Sequence, residues 1–136
     1  MHTDKRPEHV NVLIVEDNSS VRNSLKGFLK LLGLTCHSVS SAEEAFQATE
    51  NNEYNIVITD YMLPGINGLN LLDALATSTP GTKVILLTGY SNAKIRVRAM
   101  QAGAWACLSK PIEPDELEQT LRGVFQTNAC SLYHEA

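Results

Sequence analysis

Short apolar runs alternate in this sequence with segments whose apolar residues recur at helical spacing. The runs cover residues 10–15, 34–39, 54–59, 84–87 and 105–108. Such alternation is typical of an α/β protein, in which helices cross over between parallel strands. We therefore expect five strands and five helices that follow one another in turn.

Start and stop signals bound the expected helices. Ser41 and Glu44 fit a capping box, because the serine hydroxyl can accept a bond from the Glu44 amide while the carboxylate reaches back. Gly33 and Gly103 are placed to end the first and fourth helices, and Pro114 suits the first position of the fifth. The residues expected to face the core are Val21, Leu25, Phe28, Leu29, Leu32, Ala42, Ala45, Phe46, Thr49, Leu69, Leu72, Leu75, Ile95, Ala99, Met100, Ala102, Leu117, Leu121, Val124 and Phe125.

Carboxylates follow two of the apolar runs. Glu16 and Asp17 come after the first run, and Asp60 comes after the third. Ligands gather outside the carboxyl ends of parallel strands, so these three side chains are expected to meet at one edge of the sheet. Two like charges about 4 Å apart repel by roughly 4 kcal/mol at an effective dielectric near 20. The cluster therefore predicts a bound cation.

A hydroxyl and an ammonium group follow two further runs, in Thr88 and Lys110. Oxygen ligands without a nearby group of His or Cys suit Mg²⁺, which retains water and commonly bridges carboxylates to phosphate. Thr88 and Lys110 would donate to the remaining oxygens of a phosphoryl group. The arrangement predicts transfer of a phosphoryl group to a carboxylate.

Each of these residues also has an ordinary structural explanation. Glu16 or Asp17 could cap the following helix, and Asp60 could be a turn residue. Thr88 could be a hydroxyl at a strand end, and Lys110 a solvated surface charge. Four separate strand ends would have to match by chance for all of these explanations to hold, and this favours a functional site.

Four motifs in combination resemble the receiver domains of two-component response regulators. They are Val15-Glu16-Asp17, the segment 59–68, Leu87-Thr88-Gly89 and Ser109-Lys110-Pro111. The resemblance covers roughly residues 10–126. It implies a flavodoxin-like α/β fold, with a doubly wound parallel sheet of five strands in the order 2-1-3-4-5 and five helices. Residues 1–9 and 127–136 lie outside the pattern and are expected to be mobile tails.

The resemblance also implies a metal site. Asp60 would be the phosphoacceptor and a ligand of Mg²⁺. Asp17 would bind the metal directly, Glu16 would bind it through water, and Met62 would contribute its backbone carbonyl.

The implied function is that of a switch in a His-Asp phosphorelay. A cognate histidine kinase or phosphotransfer protein would supply the phosphoryl group to Asp60, where Thr88 and Lys110 would contact it. The domain would catalyse only its own phosphorylation and dephosphorylation, and so would not be an enzyme with a separate substrate. Phosphorylation would change the surface of the fourth helix, fifth strand and fifth helix. That surface would bind a downstream protein target and could form a homodimer.

The sequence departs from the family at the position three residues before Lys110. An aromatic residue that changes rotamer usually occupies this place, and here it is Cys107. By the period of two in a strand, Trp105 is expected on the same face and could compensate. The positions two after Asp60 and two after Thr88 carry Met62 and Tyr90, which are bulky and would affect water access.

Composition excludes several other classes of protein. With 136 residues, of which 43% are hydrophobic, the chain is expected to form one domain. It has neither a membrane-spanning stretch nor a signal peptide, so we expect a cytoplasmic protein. Cys36, Cys107 and Cys130 show no metal-type spacing and are expected to be reduced. A net charge of −4 gives no indication of direct nucleic-acid binding.

Three alternatives remain open. The chain could be the receiver fragment of a larger response regulator or hybrid histidine kinase. The ten residues after Gln126 cannot hold a DNA-binding domain, so a transcriptional output would require further sequence or a partner. It could be a phosphohydrolase with an aspartyl nucleophile, although no cap domain is present to enclose a substrate. A flavodoxin-like cofactor module is disfavoured, because Glu16 and Asp17 would repel a phosphate group.

Overall fold

Five strands and five helices alternate in the computed structural model, which describes residues 11–89 and 93–127. The strands are Asn11–Val15 (β1), Thr35–Val39 (β2), Ile56–Asp60 (β3), Lys83–Thr88 (β4) and Ala106–Ser109 (β5). The helices are Ser19–Leu31 (α1), Ala42–Asn51 (α2), Gly68–Ser78 (α3), Ala93–Gln101 (α4) and Pro114–Thr127 (α5). The predicted alternation is confirmed. Val10, Tyr90, Cys130 and the expected tails lie outside the described residues, apart from Thr127, which ends α5.

The strands form one parallel sheet in the order β2-β1-β3-β4-β5, which confirms the expected topology. In the register of the sheet, Val15 at the end of β1 pairs with Thr59, and Asp60 at the end of β3 pairs with Leu87. Thr88 at the end of β4 pairs with Ser109. The carboxyl ends of these four strands therefore lie side by side at one edge.

Two hydrophobic clusters cover the two faces of the sheet. Successive residues of a strand point to opposite faces, so Val12 and Ile14 join one cluster while Leu13 and Val15 join the other. The first cluster is completed by apolar residues of α1 and α5, and the second by those of α2, α3 and α4. Helices thus cover both faces, as a sheet buried on both sides requires.

The predicted helix boundaries agree with the structure. The Ser41 hydroxyl accepts a hydrogen bond from the Glu44 amide at 3.1 Å. The Glu44 carboxylate reaches back to Ser40, whose backbone N–H donates to it at 2.7 Å. Gly33 and Gly103 follow α1 and α4 with positive φ angles of 83° and 101°, which are strained for residues with a side chain.

Met100 does not face the core as expected. Ile95 and Ala99 of α4 are buried, whereas the side chain of Met100 is 48% exposed. Residues 95 and 99 are four apart and share a face, and residue 100 is turned about 100° away from residue 99 at 3.6 residues per turn. Met100 therefore adds apolar area to the outer surface of α4.

The expectation that Trp105 lies on the same face as Cys107 is wrong. Cys107 belongs to the cluster beneath α2, α3 and α4, whereas Trp105 packs against the cluster beneath α1 and α5. The indole N–H of Trp105 donates to the Thr120 carbonyl of α5 at 3.2 Å. Because β5 begins only at Ala106, the period of two does not extend to Trp105.

None of the helices in the described part of the chain has the length and apolar character that a membrane span requires.

Candidate metal centre

Three carboxylates meet where β1 and β3 end. Glu16, Asp17 and Asp60 each offer one oxygen, and these oxygens lie within 4.8 Å of one another. Glu16 is 1% exposed and Asp60 is 5% exposed, whereas Asp17 is exposed to solvent. The predicted clustering at one edge of the sheet is therefore present, with one of the three carboxylates open to solvent.

Lys110 brings a positive charge to this group of carboxylates. Its Nζ atom lies 3.1 Å from Asp60 Oδ2 and 3.2 Å from Glu16 Oε1. The Lys110 backbone N–H donates to the carbonyl of Thr88 at 2.8 Å, which holds the end of β5 against the end of β4. Three carboxylates and one ammonium leave a formal charge of −3 + 1 = −2. A divalent cation bound by oxygen ligands fits this group in both charge and ligand type.

Burial and neighbouring charges shift the pKa values of Glu16 and Lys110. Burial raises the pKa of Glu16, and the hydrogen bond from Asn18 and the charge of Lys110 only partly offset this. Burial alone would lower the pKa of Lys110, but the hydrogen bonds and charges of Asp60 and Glu16 outweigh it and raise that pKa. Lys110 is therefore held as a cation between two carboxyl groups.

The cap of α1 is neither Glu16 nor Asp17. Asn18 occupies that position, and its side-chain oxygen accepts from the Val21 amide at 3.0 Å. Glu16 Oε2 accepts from the Asn18 amide at 3.1 Å, before the helix begins. The ordinary explanation of the acidic pair as a helix cap therefore does not hold for this loop.

Thr88 is buried at the end of β4, one residue beyond Leu87, the register partner of Asp60. The strand end thus brings the hydroxyl-bearing residue next to the strand of Asp60. Met62 follows β3, and its side chain is 68% exposed. The contribution of its backbone carbonyl to a metal stays a prediction.

Gly68 is a residue of the site to which sequence reasoning gave no role. A Cβ atom built on it would lie 2.4 Å from the Asp60 carbonyl oxygen and 2.9 Å from the Cα atom of Tyr61. The first residue of α3 therefore approaches the backbone of Asp60 more closely than any side chain would permit. The signal was present as the last glycine of the segment 59–68, but local patterns do not show which backbone it approaches.

Arg22 was also missed. Its guanidinium reaches back from the first turns of α1, and Nη1 donates to the backbone carbonyl of Glu16 at 2.8 Å. The spacing of six residues between Arg22 and Glu16 is no established motif. A flexible side chain that bonds to a backbone carbonyl leaves little trace in a sequence.

A family model and two related proteins match most of this chain. Residues 12–122 match the family described as response regulator receiver domain. The response regulator UvrY of Escherichia coli (strain K12) is 33% identical over 118 residues, covering 85% of this chain and 54% of UvrY. The C4-dicarboxylate transport transcriptional regulatory protein DctD of Rhizobium meliloti (strain 1021) is 33% identical over 112 residues, covering 82% of this chain and 24% of DctD.

Both relatives are longer proteins. This chain spans about half the length of UvrY and about a quarter of the length of DctD. The fold is also similar to that of a solved receiver domain. The beryllofluoride-activated NtrC4 receiver domain dimer, solved in solution, matches with a TM-score of 0.82 at 26% identity, covering 86% of this chain and 97% of that one.

Proposed function

This chain belongs to the receiver domains of response regulators, and from that premise we propose that Asp60 accepts the phosphoryl group of a His-Asp phosphorelay. The observation that carries the proposal is the position of the Asp60 carboxylate. It lies among two further carboxylates and within 3.1 Å of the Lys110 ammonium. Three carboxylates and one ammonium group are thus gathered within a few ångströms, and this supports a nucleophile, a metal site and a donor to phosphoryl oxygens at one place.

The proposed reaction is an in-line transfer from a phosphohistidine. One carboxylate oxygen of Asp60 forms a bond to phosphorus while the bond from phosphorus to the imidazole nitrogen breaks. The electron pair of the broken bond stays on the nitrogen of the leaving imidazole. Lys110 and the Thr88 hydroxyl donate to the phosphoryl oxygens, where such preorganised donors stabilise the charge of the transition state.

Mg²⁺ is the proposed cofactor of this transfer. Asp17 and Asp60 would bind it directly, Glu16 through water, and Met62 through its backbone carbonyl. When bound, the ion offsets the negative charge of the carboxylates and the phosphoryl group. The domain then catalyses only its own phosphorylation and dephosphorylation, in the cytoplasm.

The phosphodonor protein is proposed to dock between α1 and the segment after β5. A groove of about 380 Å³ runs there, lined by apolar side chains that include Val21, Phe28 and Leu117. Lys110 also lines this groove. An apolar helix seated in the groove would therefore hold its phosphohistidine beside Asp60.

An exposed serine in the groove offers a test of docking. Ser24→Glu should slow transfer from a histidine phosphotransfer protein and leave labelling by acetyl phosphate unchanged, because only the protein donor needs the groove. Asn23→Glu adds the same charge at an exposed neighbour that does not line the groove. Equal rates for the two variants with the protein donor would contradict this docking site.

The readout surface is proposed to comprise α4, β5 and α5. An acyl phosphate adds roughly 1.5–2 negative charges, by analogy with other phosphorylated side chains, and pulls Thr88 and the loop after it towards the site. The outer surface of α4 exposes Val97 and Met100, at 53% and 48%. This apolar area would bind a downstream protein or a second copy of the chain, as the dimeric NtrC4 receiver suggests.

Self-association tests the homodimer. Sedimentation velocity with Mg²⁺ and beryllofluoride, which stands in for the phosphoryl group, should show a larger species than the untreated protein. Val97→Glu should prevent the increase, whereas Gln47→Glu on the exposed surface of α2 should not. A monomer under both conditions would refute the homodimer.

Intact-mass spectrometry tests the central proposal. With Mg²⁺ and acetyl phosphate, the chain should gain one phosphoryl group, and Asp60→Asn should abolish the gain. Stoichiometric labelling of the Asp60→Asn variant at another residue would refute the assignment of the phosphoacceptor.

A further inference from the structure

Arg22 makes a contact that the proposed chemistry does not use. It lies in the first turns of α1, where its backbone N–H donates to the Asn18 carbonyl at 2.9 Å. Its side chain turns back towards β1, and Nη1 donates to the Glu16 carbonyl at 2.8 Å. The backbone of Arg22 is therefore held in the helix, while its guanidinium is bonded to the loop that carries Glu16 and Asp17.

The carbonyl that Arg22 bonds belongs to the peptide unit between Glu16 and Asp17. A peptide unit is planar, so a bond to its oxygen fixes the orientation of the whole plane and limits where both flanking Cα atoms can lie. On the other side of Glu16, its N–H donates to the Val39 carbonyl at 3.1 Å. The backbone that carries the two acids is thus held by β2 on one side and by Arg22 on the other.

We propose that Arg22 is a positioning residue for the cation site, which acts by fixing the Glu16–Asp17 peptide. The inference rests on the proposed function, because it concerns the same metal. Asp17 is the exposed member of the three carboxylates and follows directly on the bonded carbonyl. Without Arg22, that peptide could rotate, and the Asp17 carboxylate would spend less time near Asp60.

Charge and positioning predict opposite signs for the effect of removing Arg22. The guanidinium is a positive charge beside a cation site, so its removal would strengthen Mg²⁺ binding if charge alone mattered. If Arg22 positions the acidic pair, its removal weakens Mg²⁺ binding in spite of the lost repulsion. The direction of the change therefore separates the two roles.

The experiment is a calorimetric titration of the full 136-residue chain with MgCl₂. Arg22→Gln should raise the Kd for Mg²⁺ about ten-fold, the order expected when a hydrogen bond from a charged donor is lost. Lys26→Gln removes the same charge one turn further along α1 and should leave the Kd unchanged or lower. Arg22→Lys keeps the charge and a donor nitrogen, and should recover part of the affinity.

Labelling of Asp60 by acetyl phosphate gives a second readout. The Arg22→Gln variant should reach the rate of the unchanged protein at saturating Mg²⁺, because only metal affinity is altered. An unchanged or lower Kd for Arg22→Gln would overturn the inference, and so would a slow rate that saturating Mg²⁺ does not restore. If Arg22→Gln does not fold, Arg22→Met takes its place, because it keeps the apolar stem and removes the donor and the charge. An unchanged or lower Kd for Arg22→Met would overturn the inference.

The inference and the proposed function can fail separately. Failure of the unchanged protein to label at Asp60, with Mg²⁺ affinity still lost in Arg22→Gln, would refute the function and leave the positioning role in place. Normal labelling of the unchanged protein at Asp60, with no effect of Arg22→Gln on the Kd for Mg²⁺, would refute the positioning role and leave the proposed function in place.

Discussion

Lys110 and Asp60 form an ion pair across the carboxyl edge of the sheet, with 3.1 Å between Nζ and Oδ2. The pair joins β5 to β3 over the intervening strand β4. The same ammonium lies 3.2 Å from Glu16, so one cation links the ends of three strands. Loss of the Lys110 ammonium would therefore alter both the charge of the site and the connection between these strands.

Replacement of Lys110 should separate metal binding from phosphoryl transfer. Lys110→Ala removes the ammonium that competes for the carboxylates, so we expect tighter Mg²⁺ binding. The rate of Asp60 labelling should nevertheless fall roughly 10²–10³-fold, the usual cost of losing one donor to transition-state charge. Calorimetry and time-resolved intact mass measure the two effects. A labelling rate within a few-fold of normal would show that Lys110 has only a structural role.

Gly68 should be intolerant of any side chain. Gly68→Ala would place a Cβ atom 2.4 Å from the Asp60 carbonyl oxygen, and this forces a backbone shift. We expect the free energy of unfolding in urea to fall by at least about 2 kcal/mol, with loss of Asp60 labelling.

Gly27 provides the matched control for Gly68. It lies in α1, and a Cβ atom added there would have no neighbouring atom within 4 Å. Gly27→Ala should raise the free energy of unfolding by about 0.5–1 kcal/mol, because alanine loses less backbone entropy in a helix. Equal effects of the two substitutions would contradict the close approach at Asp60.

The cap of α2 should make stability depend on pH in the acid range. Two hydrogen bonds from Ser40 lower the pKa of Glu44 below 4.5. The bond from the backbone N–H has the larger effect, and the bond from the hydroxyl has the smaller one. The unfolded state then binds more protons, so the contribution of Glu44 is present above pH 4.5 and is lost as pH falls through the folded pKa. Glu44→Gln should flatten this part of the stability profile in urea titrations.

Arg96 should hold α4 against β5 where the usual aromatic residue is missing. Its guanidinium donates to the Cys107 carbonyl through Nη1 and to the Ser109 hydroxyl through Nη2, the latter at 3.1 Å. Arg96→Ala should lower the free energy of unfolding by about 1 kcal/mol. It should also speed amide exchange in α4 more than in β4.

Arg98→Ala is the control for Arg96, because it removes an exposed arginine from the same helix. Hydrogen exchange read by mass spectrometry distinguishes the two variants. If both variants exchange alike in α4, the bonds to β5 do not hold the helix.

The sequence was sufficient to predict features that follow from local patterns or from the general geometry of a parallel sheet. The carboxylates could be placed together because the ends of parallel strands share an edge, and the capping box because it is local. The strand order came from the family resemblance. Trp105 was misplaced because the period of two holds only inside the strand. Gly68 and Arg22 both act on backbone carbonyls of other segments, and such contacts exist only once the chain is folded.

The position of Trp105 decides what optical experiments on this domain can report. It is the only indole in the chain, and it precedes β5 at the amino end of the strand, while Lys110 follows the carboxyl end. Its indole ring contacts α5 and lies near Lys83, whose Nζ atom is 5.8 Å from the ring centroid. Intrinsic fluorescence will therefore record the detachment of α5 during unfolding. A constant emission spectrum during phosphorylation would carry no information about the acidic site.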